Sequence, residues 1–480
     1  MKNRLNKRYG LFTAICMVAG IVIGSGIFFK APKVLEKTGG NMPMSLLTVA
    51  TVGAIMLICS YVFSVLARRV EHVNGIVDYA EASCGGWYSY IIGWFSTYIY
   101  FPTMISAIGW ISATYTASLC GFGDKENLVV ALTVLFLGVS FMINTFAPAI
   151  SGKFQVSTTV IKLIPIAILV LVGTVIGLIN GQTLDSLNSS NISVNSENSG
   201  FFGAVVAFAF AYEGWIVATT INSEIKDSKK NLPRALIIGG IIVVVAYIGY
   251  YLGLAGILSP KEIMEAGGDL PKVAYTTLFG GNPVFGTIVY VFIIISCLGT
   301  MNGCMMGGCR GMYSLAKRGQ GPRPEVFSKL DERTNMPIAS CVIALVMSLV
   351  WLFQWEFGLI EGILPKFLCF EHDELPIITL YGGYIPIFIS MMIKAKDLNV
   401  VNRFVMPSLA ILCSIFMVSA AVISYKIEAL YYLIVFAVII GIGQIFYRKN
   451  AKSEITDDEE NEADVSAPAE ETTPAQTEQI

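Results

Sequence analysis

The sequence predicts an all-α polytopic membrane protein with about twelve transmembrane helices. Hydrophobic residues make up 55% of the 480 residues and charged residues only 14%, with a mean hydropathy of +0.67, whereas a soluble protein carries closer to a quarter of charged residues. Apolar runs long enough to cross a bilayer recur along the chain with short loops between them. Glycine interrupts the first and the sixth of these runs. Because the breaks are five spans apart, we expect two inverted repeats of five helices each, with helices 1 and 6 broken.

A window of about 19 residues places the spans in order along the chain. The expected spans are 9–36, 44–66, 87–119, 127–147, 155–179, 201–222, 234–257, 284–315, 337–355, 374–393, 404–424 and 428–447. The longest outer loops are expected at 180–200 and 258–283. The expected membrane domain is therefore 9–447, which comprises inverted repeats at about 9–180 and 201–393 and two further helices at about 404–447.

Lysine and arginine are distributed unevenly between the two sides of the membrane. If the N-terminus is cytosolic, 22 of the 32 lie on the cytosolic side and 8 on the outer side, while Lys162 and Arg310 lie in or at the edge of spans. The positive-inside rule then predicts a cell (plasma) membrane protein with both termini in the cytosol. Residues 1–8 form a short cytosolic tail, and residues 448–480, which are acidic and lack an apolar period, are expected to be a disordered cytosolic tail.

The first span is interrupted in its middle, where residues 21–28 read IVIGSGIF. Glycine and serine are poor residues for a continuous helix. A break at membrane depth persists only where protein or a polar cavity satisfies the freed backbone groups. The amides of Gly24, Ser25 and Gly26 would then begin a second half-helix, whose positive end suits a carboxylate. The alternative is close helix packing through small residues, and this stretch alone favours neither.

The sixth span carries an ionisable side chain at its centre, Glu213, within residues 208–215, which read FAFAYEGW. A carboxylate at membrane depth is costly and indicates a functional site. Gly214 beside it supplies a second expected break. Interrupted segments at matching positions in two halves are typical of a transporter site. The alternatives for Glu213 are a structural hydrogen bond to another helix or exposure to a vestibule.

Few residues are suited to catalysis or metal binding. The ten cysteines form no CxxC pair, and the only two histidines, His72 and His372, lie near predicted membrane edges. A membrane enzyme would need clustered histidine or carboxylate side chains on facing spans, and only Glu213 and Lys162 lie within spans as candidates. A channel would need a pore-lining repeat, and none is visible. We therefore expect no enzymatic activity, no catalytic residue, no metal site and no cofactor.

Several motifs together resemble those of amino acid permeases. They are GSGIF at 24–28, FAYEGW at 210–215, EIKDSKKNLPRA at 224–235, GTMNG at 299–303 followed by Arg310 and Tyr313, and KRG at 317–319. Over about residues 9–447 the chain is similar to the amino acid–polyamine–organocation superfamily, in particular to its L-type amino acid transporter branch. The turn after span eight departs from the pattern, since Arg318 is followed by Gly-Gln-Gly rather than by an acidic residue. The resemblance therefore does not assign the cytosolic gate contacts.

The resemblance implies a substrate site built from both breaks. The α-carboxylate of the substrate would meet the amides of the first break, and its α-ammonium would meet carbonyls at the two breaks. The implied substrate-binding residues are Val22, Gly24, Ser25, Gly26, Ile27, Phe210, Ala211 and Glu213. Phe210 with Tyr212 and Trp215 resembles the inner gate and side-chain pocket of the family; the alternative for these aromatic residues is ordinary packing.

Lys162 lies within span five and matches a family lysine at the place where sodium-coupled relatives hold a cation. Its ammonium would bridge span five to carbonyls of span one near Gly20 and Ile21. The alternative is that the side chain extends to the cytosolic interface. Lys162 is nine residues beyond Lys153, which is too deep for this to be easy. The resemblance therefore implies coupling through Lys162 rather than through sodium.

We expect a secondary active transporter, a permease or antiporter that moves amino acids across the plasma membrane by alternating access. Transport would be sodium-independent exchange or proton-linked uptake. Large aromatic residues in the pocket favour small to medium neutral substrates. The alternative is a carrier of cationic amino acids, because Glu213 would attract a cationic side chain, or a carrier of polyamines or other amines. A polyamine has no carboxylate and would make no use of the amides at the first break.

The expected partners are the amino acid substrate and the lipid bilayer, with no nucleic acid. Cys120 lies in the outer loop between spans three and four, where animal heterodimeric relatives carry a cysteine that links them to a glycoprotein subunit. A single cysteine there is a weak signal. We expect a monomer or weak homo-oligomer without a disulfide-linked subunit through Cys120.

Overall fold

The computed structural model describes residues 5–70, 74–123, 125–188 and 200–449. Within these ranges, twelve helices are long and apolar enough to cross a membrane. They are Leu11–Lys37, Met42–Ala67, Gly86–Leu119, Glu126–Phe146, Pro148–Ile179, Gly200–Glu224, Ser228–Ile257, Pro283–Ala316, Ile338–Ile360, Pro376–Lys394, Val401–Tyr425 and Ile427–Gln444. The predicted all-α polytopic fold is confirmed. His72, residues 1–4 of the N-terminal tail and the acidic tail from residue 450 lie outside the described residues, so their predictions remain untested.

Shorter helices connect the spans on both faces of the molecule. They are Gly75–Cys84, Gln182–Asn188, Pro260–Ala266, the 3₁₀ turn Gly267–Asp269, Leu270–Leu278, Pro324–Phe327 and the 3₁₀ turn Lys366–Leu368. The stretch expected as an outer loop at 258–283 is therefore largely helical. Ser259 caps its first helix reciprocally with Glu262, which satisfies backbone amides at the helix N-terminus.

Spans one and six are both interrupted, as predicted. Span one consists of the helices Leu11–Val22 and Gly26–Lys37. Span six consists of the helix Gly200–Tyr212 and the 3₁₀ helix Trp215–Glu224. Gly214 has a φ of 101°, a conformation that side chains with a β-carbon rarely adopt. The unwound stretch of span one covers residues 23–25, because the first half-helix ends at Val22 and Gly26 already starts the second.

Other spans deviate from regular α-helix without a full break. A π-helical turn occurs in four of them, at Ser96–Tyr100, Leu169–Gly173, Trp355–Ile360 and Val401–Val405. In span eight, a two-residue turn separates the helices Pro283–Gly308 and Gly311–Ala316. π-helical turns inside α-helices often mark functional positions, and the turn at Ser96–Tyr100 holds a tyrosine of the candidate site.

The two interrupted spans contact each other at their breaks. A β-carbon on Gly26 would lie 2.5 Å from the α-carbon of Ala211, and one on Gly214 would lie 2.7 Å from the side chain of Ile21. The same spans also meet near the predicted cytosolic face, where the amides of Arg8 and Tyr9 donate to the carbonyl of Glu224 at 2.8 and 3.0 Å. The backbones of spans one and six therefore approach closely both at the breaks and near the predicted cytosolic face. These contacts fix the position of one break against the other.

Burial separates the spans into an inner and an outer set. In spans three and six, 89% of the most apolar stretch is buried, whereas in span twelve only 17% is buried. Exposed large apolar side chains occur on the less buried spans, as at Leu135, Val245 and Leu412. These side chains suit contact with lipid tails. The two breaks therefore lie inside a protein environment, as irregular backbone at membrane depth requires.

Candidate substrate site at the paired helix breaks

The first break ends in a half-helix whose N-terminus is directed into the protein interior. A helix that begins at Gly26 leaves the amides of its first turn without acceptors in the same helix. The carbonyl of Ser25 accepts from the amides of Phe28 and Phe29 at 3.0 and 2.9 Å. The hydroxyl of Ser25 is buried and has no hydrogen-bond partner in the described part of the chain. This end therefore offers amides, a hydroxyl and a partial positive charge.

The glycines at this break also have a packing role. A β-carbon on Gly24 would lie 2.8 Å from the hydroxyl oxygen of Thr300, and Gly26 is pressed against the backbone of Ala211. Close packing and anion binding were alternatives for this stretch, and the geometry accommodates both. Ile27, which follows, is fully buried. A substitution at Gly26 would therefore disturb packing, whatever the break binds.

The second break offers a carbonyl end. The helix ends at Tyr212, and the amide of Glu213 donates to the carbonyl of Phe210 at 3.2 Å. The last carbonyls of a helix carry a partial negative charge. The α-carbon, β-carbon and amide nitrogen of Ala211 lie beside Gly26 across the contact between the spans. Positive and negative helix ends thus meet at the place where the sequence predicted them.

Tyr247 of span seven connects the two breaks, and the sequence reasoning missed it. Its buried hydroxyl lies 2.9 Å from the carbonyl oxygen of Val22 and 2.8 Å from that of Ala211. These are two of the carbonyls that the resemblance assigns to the substrate ammonium. A buried tyrosine hydroxyl usually finds a partner. The cluster YIGYY at 247–251 was a signal in the sequence, but nothing there indicates which tyrosine reaches span one.

Lys162 is fully buried, and its ammonium lies among four oxygen atoms. The carbonyls of Gly20, Ile23 and Ser296 are 2.7, 2.6 and 3.0 Å from Nζ, and the hydroxyl of Thr300 is 3.1 Å away. The expected contact with span one occurs, although at Ile23 rather than at Ile21. Span eight supplies the other two oxygens. The ammonium therefore lies between spans one, five and eight instead of extending to the interface.

Glu213 lies among tyrosine side chains of spans three and ten. The hydroxyl of Tyr100 donates to Oε2 at 3.2 Å, and Tyr381 and Tyr384 are close to the same carboxyl group. The other carboxyl oxygen, Oε1, has no hydrogen-bond partner among the described residues. Of the alternatives for Glu213, a hydrogen bond to another helix is observed. The free oxygen leaves room for a further role.

The three aromatic residues predicted as a gate face different neighbours. The ring of Phe210 lies 5.1 Å from the ammonium of Lys30. Tyr212 packs 4.8 Å from the ring of Tyr247. Trp215 packs 5.7 Å from the ring of Phe63. These contacts are with spans one, seven and two, respectively, and Trp215 lies beyond the break at Gly214.

A buried ion-pair cluster closes the predicted outer side. The ammonium of Lys30 lies 2.9 Å from Asp373 and 2.5 Å from Glu374. Lys33, one turn further, pairs with Glu371 at 2.9 Å and with Glu374 at 3.0 Å. The cluster joins the second half of span one to the segment before span ten. It therefore holds the second half-helix of the candidate site against the rest of the protein.

Charged pairs also close the predicted cytosolic side. Arg310 and Glu224, both fully buried, are 2.5 Å apart. Arg318 lies 2.5 Å from Asp78 and 2.7 Å from Glu81, both on the helix Gly75–Cys84. The resemblance left these contacts unassigned. The acidic partner of Arg310 is at the end of span six, whereas those of Arg318 come from a short helix that follows span two rather than from the turn after span eight.

His372 lies between the outer ion-pair cluster and span three. Its Nε2 lies 3.2 Å from the hydroxyl of Ser106, and its other ring nitrogen contacts Gln354. Burial lowers the pKa of His372 to about 3, so the imidazole is neutral near neutral pH. This histidine therefore has a structural hydrogen-bonding role.

Comparison with known proteins agrees with this geometry. The family model described as amino acid permease matches residues 9–453. The serine/threonine exchanger SteT of Bacillus subtilis (strain 168) is 31% identical over 430 residues, which cover 88% of this chain and 92% of that protein. The b(0,+)-type amino acid transporter 1 of Rattus norvegicus is 25% identical over 452 residues, 92% of this chain and 88% of that protein. The human cystine/glutamate transporter is 24% identical over 360 residues, 74% of this chain and 70% of that protein.

Proposed function

This chain belongs to the amino acid permease family, and we propose that it exchanges small or medium neutral amino acids across the cell membrane without sodium. It is a multi-pass membrane transporter and not an enzyme. Alternating access would expose the paired breaks first to one side and then to the other. The similarity to a serine/threonine exchanger over most of both chains supports small neutral substrates and exchange.

The single observation that carries the proposal is the position of Lys162. Its ammonium contacts carbonyls of Gly20 and Ile23 and also the hydroxyl of Thr300. These oxygens belong to the first half-helix, to the break itself and to span eight, and they already surround an ammonium group. A sodium ion at this place would have to displace a buried ammonium and would meet repulsion from it. The proposed role of Lys162 is therefore to take the place of a coupling cation.

The proposed substrate is held as a zwitterion between the breaks. Its carboxylate would accept from the amides of Ser25, Gly26 and Ile27, where a helix begins. Its ammonium would donate to the carbonyls of Val22 and Ala211, where helices end. Phe210 adds a carbonyl and an aromatic ring to the same region. Both charged groups of an amino acid are then matched by helix ends rather than by side-chain charges, which suits any neutral side chain.

One observation favours cationic amino acids as a second candidate. Glu213 is buried, and its Oε1 has no hydrogen-bond partner in the described part of the chain. A substrate ammonium or guanidinium could satisfy this oxygen. The tyrosine that donates to Oε2 gives the carboxyl group a partner without any substrate. For this reason the proposal places neutral substrates first.

The proposed arrangement in the cell is a plasma-membrane protein with cytosolic termini. The excess of lysine and arginine on the side of the N-terminus supports it. Cys120 is exposed at the end of span three. We propose that the chain nevertheless works as a monomer or weak homo-oligomer, without a disulfide-linked subunit.

Counterflow in proteoliposomes tests the proposal. Vesicles loaded with L-serine should take up labelled L-serine equally in sodium and in choline buffer, and unloaded vesicles should take up little. Unlabelled threonine and alanine should compete, whereas putrescine and serine amide, which lack the carboxylate, should not. A steep sodium requirement would overturn the proposed role of Lys162. If a pH gradient drives uptake into unloaded vesicles, the mechanism is proton-linked uptake rather than exchange.

A further inference from the structure

A cavity of about 230 Å³ lies on the predicted outer face, away from the helix breaks. Spans one, three and eight and the short outer helices surround it. The lining residues used below are Phe29, Trp110, Tyr115, Ser118, Asp269 and Tyr290. Ser118 and Asp269 are exposed, so the cavity reaches the surface of the protein. Drug-sized ligands occupy pockets of about 300–1,000 Å³, and this cavity therefore suits a smaller molecule.

Aromatic side chains form much of the wall. The rings of Tyr115 and Tyr290 pack edge to face with centroids 5.2 Å apart. The hydroxyl of Tyr115 donates to the carbonyl of Gly268 at 3.5 Å, which attaches span three to the outer turn. Trp110 adds a larger ring on the same span, half-buried. Aromatic faces attract cations, and they do so more strongly where water is partly excluded.

Asp269 supplies a negative charge without a counter-ion. Tyr290 donates a hydrogen bond to its Oδ1, while no lysine, arginine or histidine of the described ranges forms a salt bridge with it. Glu265, on the neighbouring outer helix, differs because it pairs with Lys261 at 3.7 Å. The hydrogen bond from Tyr290 fixes the carboxylate at the edge of the aromatic wall. The second carboxylate oxygen remains available to a ligand.

We propose that this cavity is a binding site for the ammonium group of a small organic amine, separate from the central site. The carboxylate of Asp269 would accept from the ammonium, and Trp110 and Tyr115 would contact its carbon skeleton and stabilise its charge. Phe29 lies one turn into the half-helix that begins at Gly26, so the cavity adjoins the outer end of the central site. An amine that approaches from outside would meet this place before the helix breaks.

Protection of an introduced cysteine tests the site in the full-length chain. Ser118→Cys, in a Cys120→Ser background, places a thiol at the cavity, and a membrane-impermeant maleimide labels it from outside. The Cys120→Ser protein alone gives the labelling background. The probe is 2-phenylethylamine, and its control is 3-phenylpropionate, which carries a carboxylate in place of the amine. Because the probe has no carboxylate and the assay needs no transport, the outcome does not depend on whether the chain exchanges neutral amino acids.

The amine should slow labelling of Ser118→Cys, and the acid should not. Asp269→Asn should raise the half-protecting amine concentration about tenfold, because the ammonium loses a charged acceptor and keeps only a neutral one. Glu265→Gln removes a carboxylate from the same outer segment but not from the cavity. In this variant the half-protecting amine concentration should equal that of the parent protein. Equal protection by the acid, unchanged protection in Asp269→Asn or no protection in the parent protein would overturn the proposal.

Discussion

The hydroxyl group of Tyr247 lies 2.9 Å from the carbonyl oxygen of Val22, which joins span seven to the end of the first half-helix of span one. The same hydroxyl lies 2.8 Å from the carbonyl oxygen of Ala211 in span six. A hydroxyl has one proton, so it donates to only one of these carbonyls at a time. If the substrate ammonium binds the same carbonyls, Tyr247 holds both helix ends in position for it.

Tyr247→Phe should lower kcat/KM for L-serine exchange about tenfold. The substitution keeps the ring but removes the donor, and an unsatisfied buried carbonyl costs about 1–3 kcal/mol, of which 1.4 kcal/mol corresponds to a factor of ten. Tyr251→Phe is the matched control, because its hydroxyl on the same span has no partner in the described residues. Initial rates of counterflow measure both variants. Equal rates would show that the hydroxyl contact is not used.

Lys162→Met should reduce exchange at least about tenfold while the protein still inserts and folds. Methionine fills much of the same space but leaves the carbonyls of Gly20 and Ile23 without their donor. Lys153→Met, on the same span but exposed, should exchange at the wild-type rate. Radiolabelled counterflow, normalised to the amount of folded transporter in the vesicles, provides the comparison. A wild-type exchange rate in Lys162→Met would show that this lysine has no coupling role.

Glu213→Gln should retain neutral amino acid exchange, since the helix ends and not this carboxylate would bind the zwitterion. Glutamine can still accept the hydrogen bond from Tyr100. Uptake of labelled lysine and arginine should be near background in the wild type and in the variant. Lysine uptake that is present in the wild type and collapses in Glu213→Gln would show that the carboxylate recognises a cationic substrate. Loss of neutral and cationic transport together would indicate a role in gating or proton handling.

Glu224→Gln should destabilise the protein strongly, because it leaves Arg310 buried without its counter-ion. Breaking a buried ion pair by removal of one partner costs about 3–5 kcal/mol. The exposed pair between Arg69 and Asp397 provides the control, and Asp397→Asn should change Tm little, since solvent screens this pair. Thermal unfolding in detergent measures both variants. Similar Tm changes would contradict the assignment of Glu224 and Arg310 as a buried structural pair.

Much of the site was predictable from local features of the sequence. Gly214 marks one break because few other residues adopt its φ of 101°, and Gly24 marks the other, where Thr300 leaves no space for a side chain. Glu213 and Lys162 stand out because charge at membrane depth is costly. Their neighbours were harder to predict. Lys162 was assigned to carbonyls near Gly20 and Ile21 and reaches those of Gly20 and Ile23, since the second contact depends on where the broken helix unwinds. The gate assigned to Phe210, Tyr212 and Trp215 stays a prediction, because their side chains point to different spans.

The sequence by itself determined the fold class, the number and order of the spans and the positions of both breaks, because hydropathy and glycine act along the chain. Only the tertiary structure decided which groups from distant parts of the chain meet. Tyr247 reaching Val22, Arg318 reaching Asp78 and Lys30 reaching Asp373 each join residues far apart in sequence. No local pattern specifies such pairs. They depend on how whole helices pack and rotate, and this packing is decided by the contacts of all the spans together.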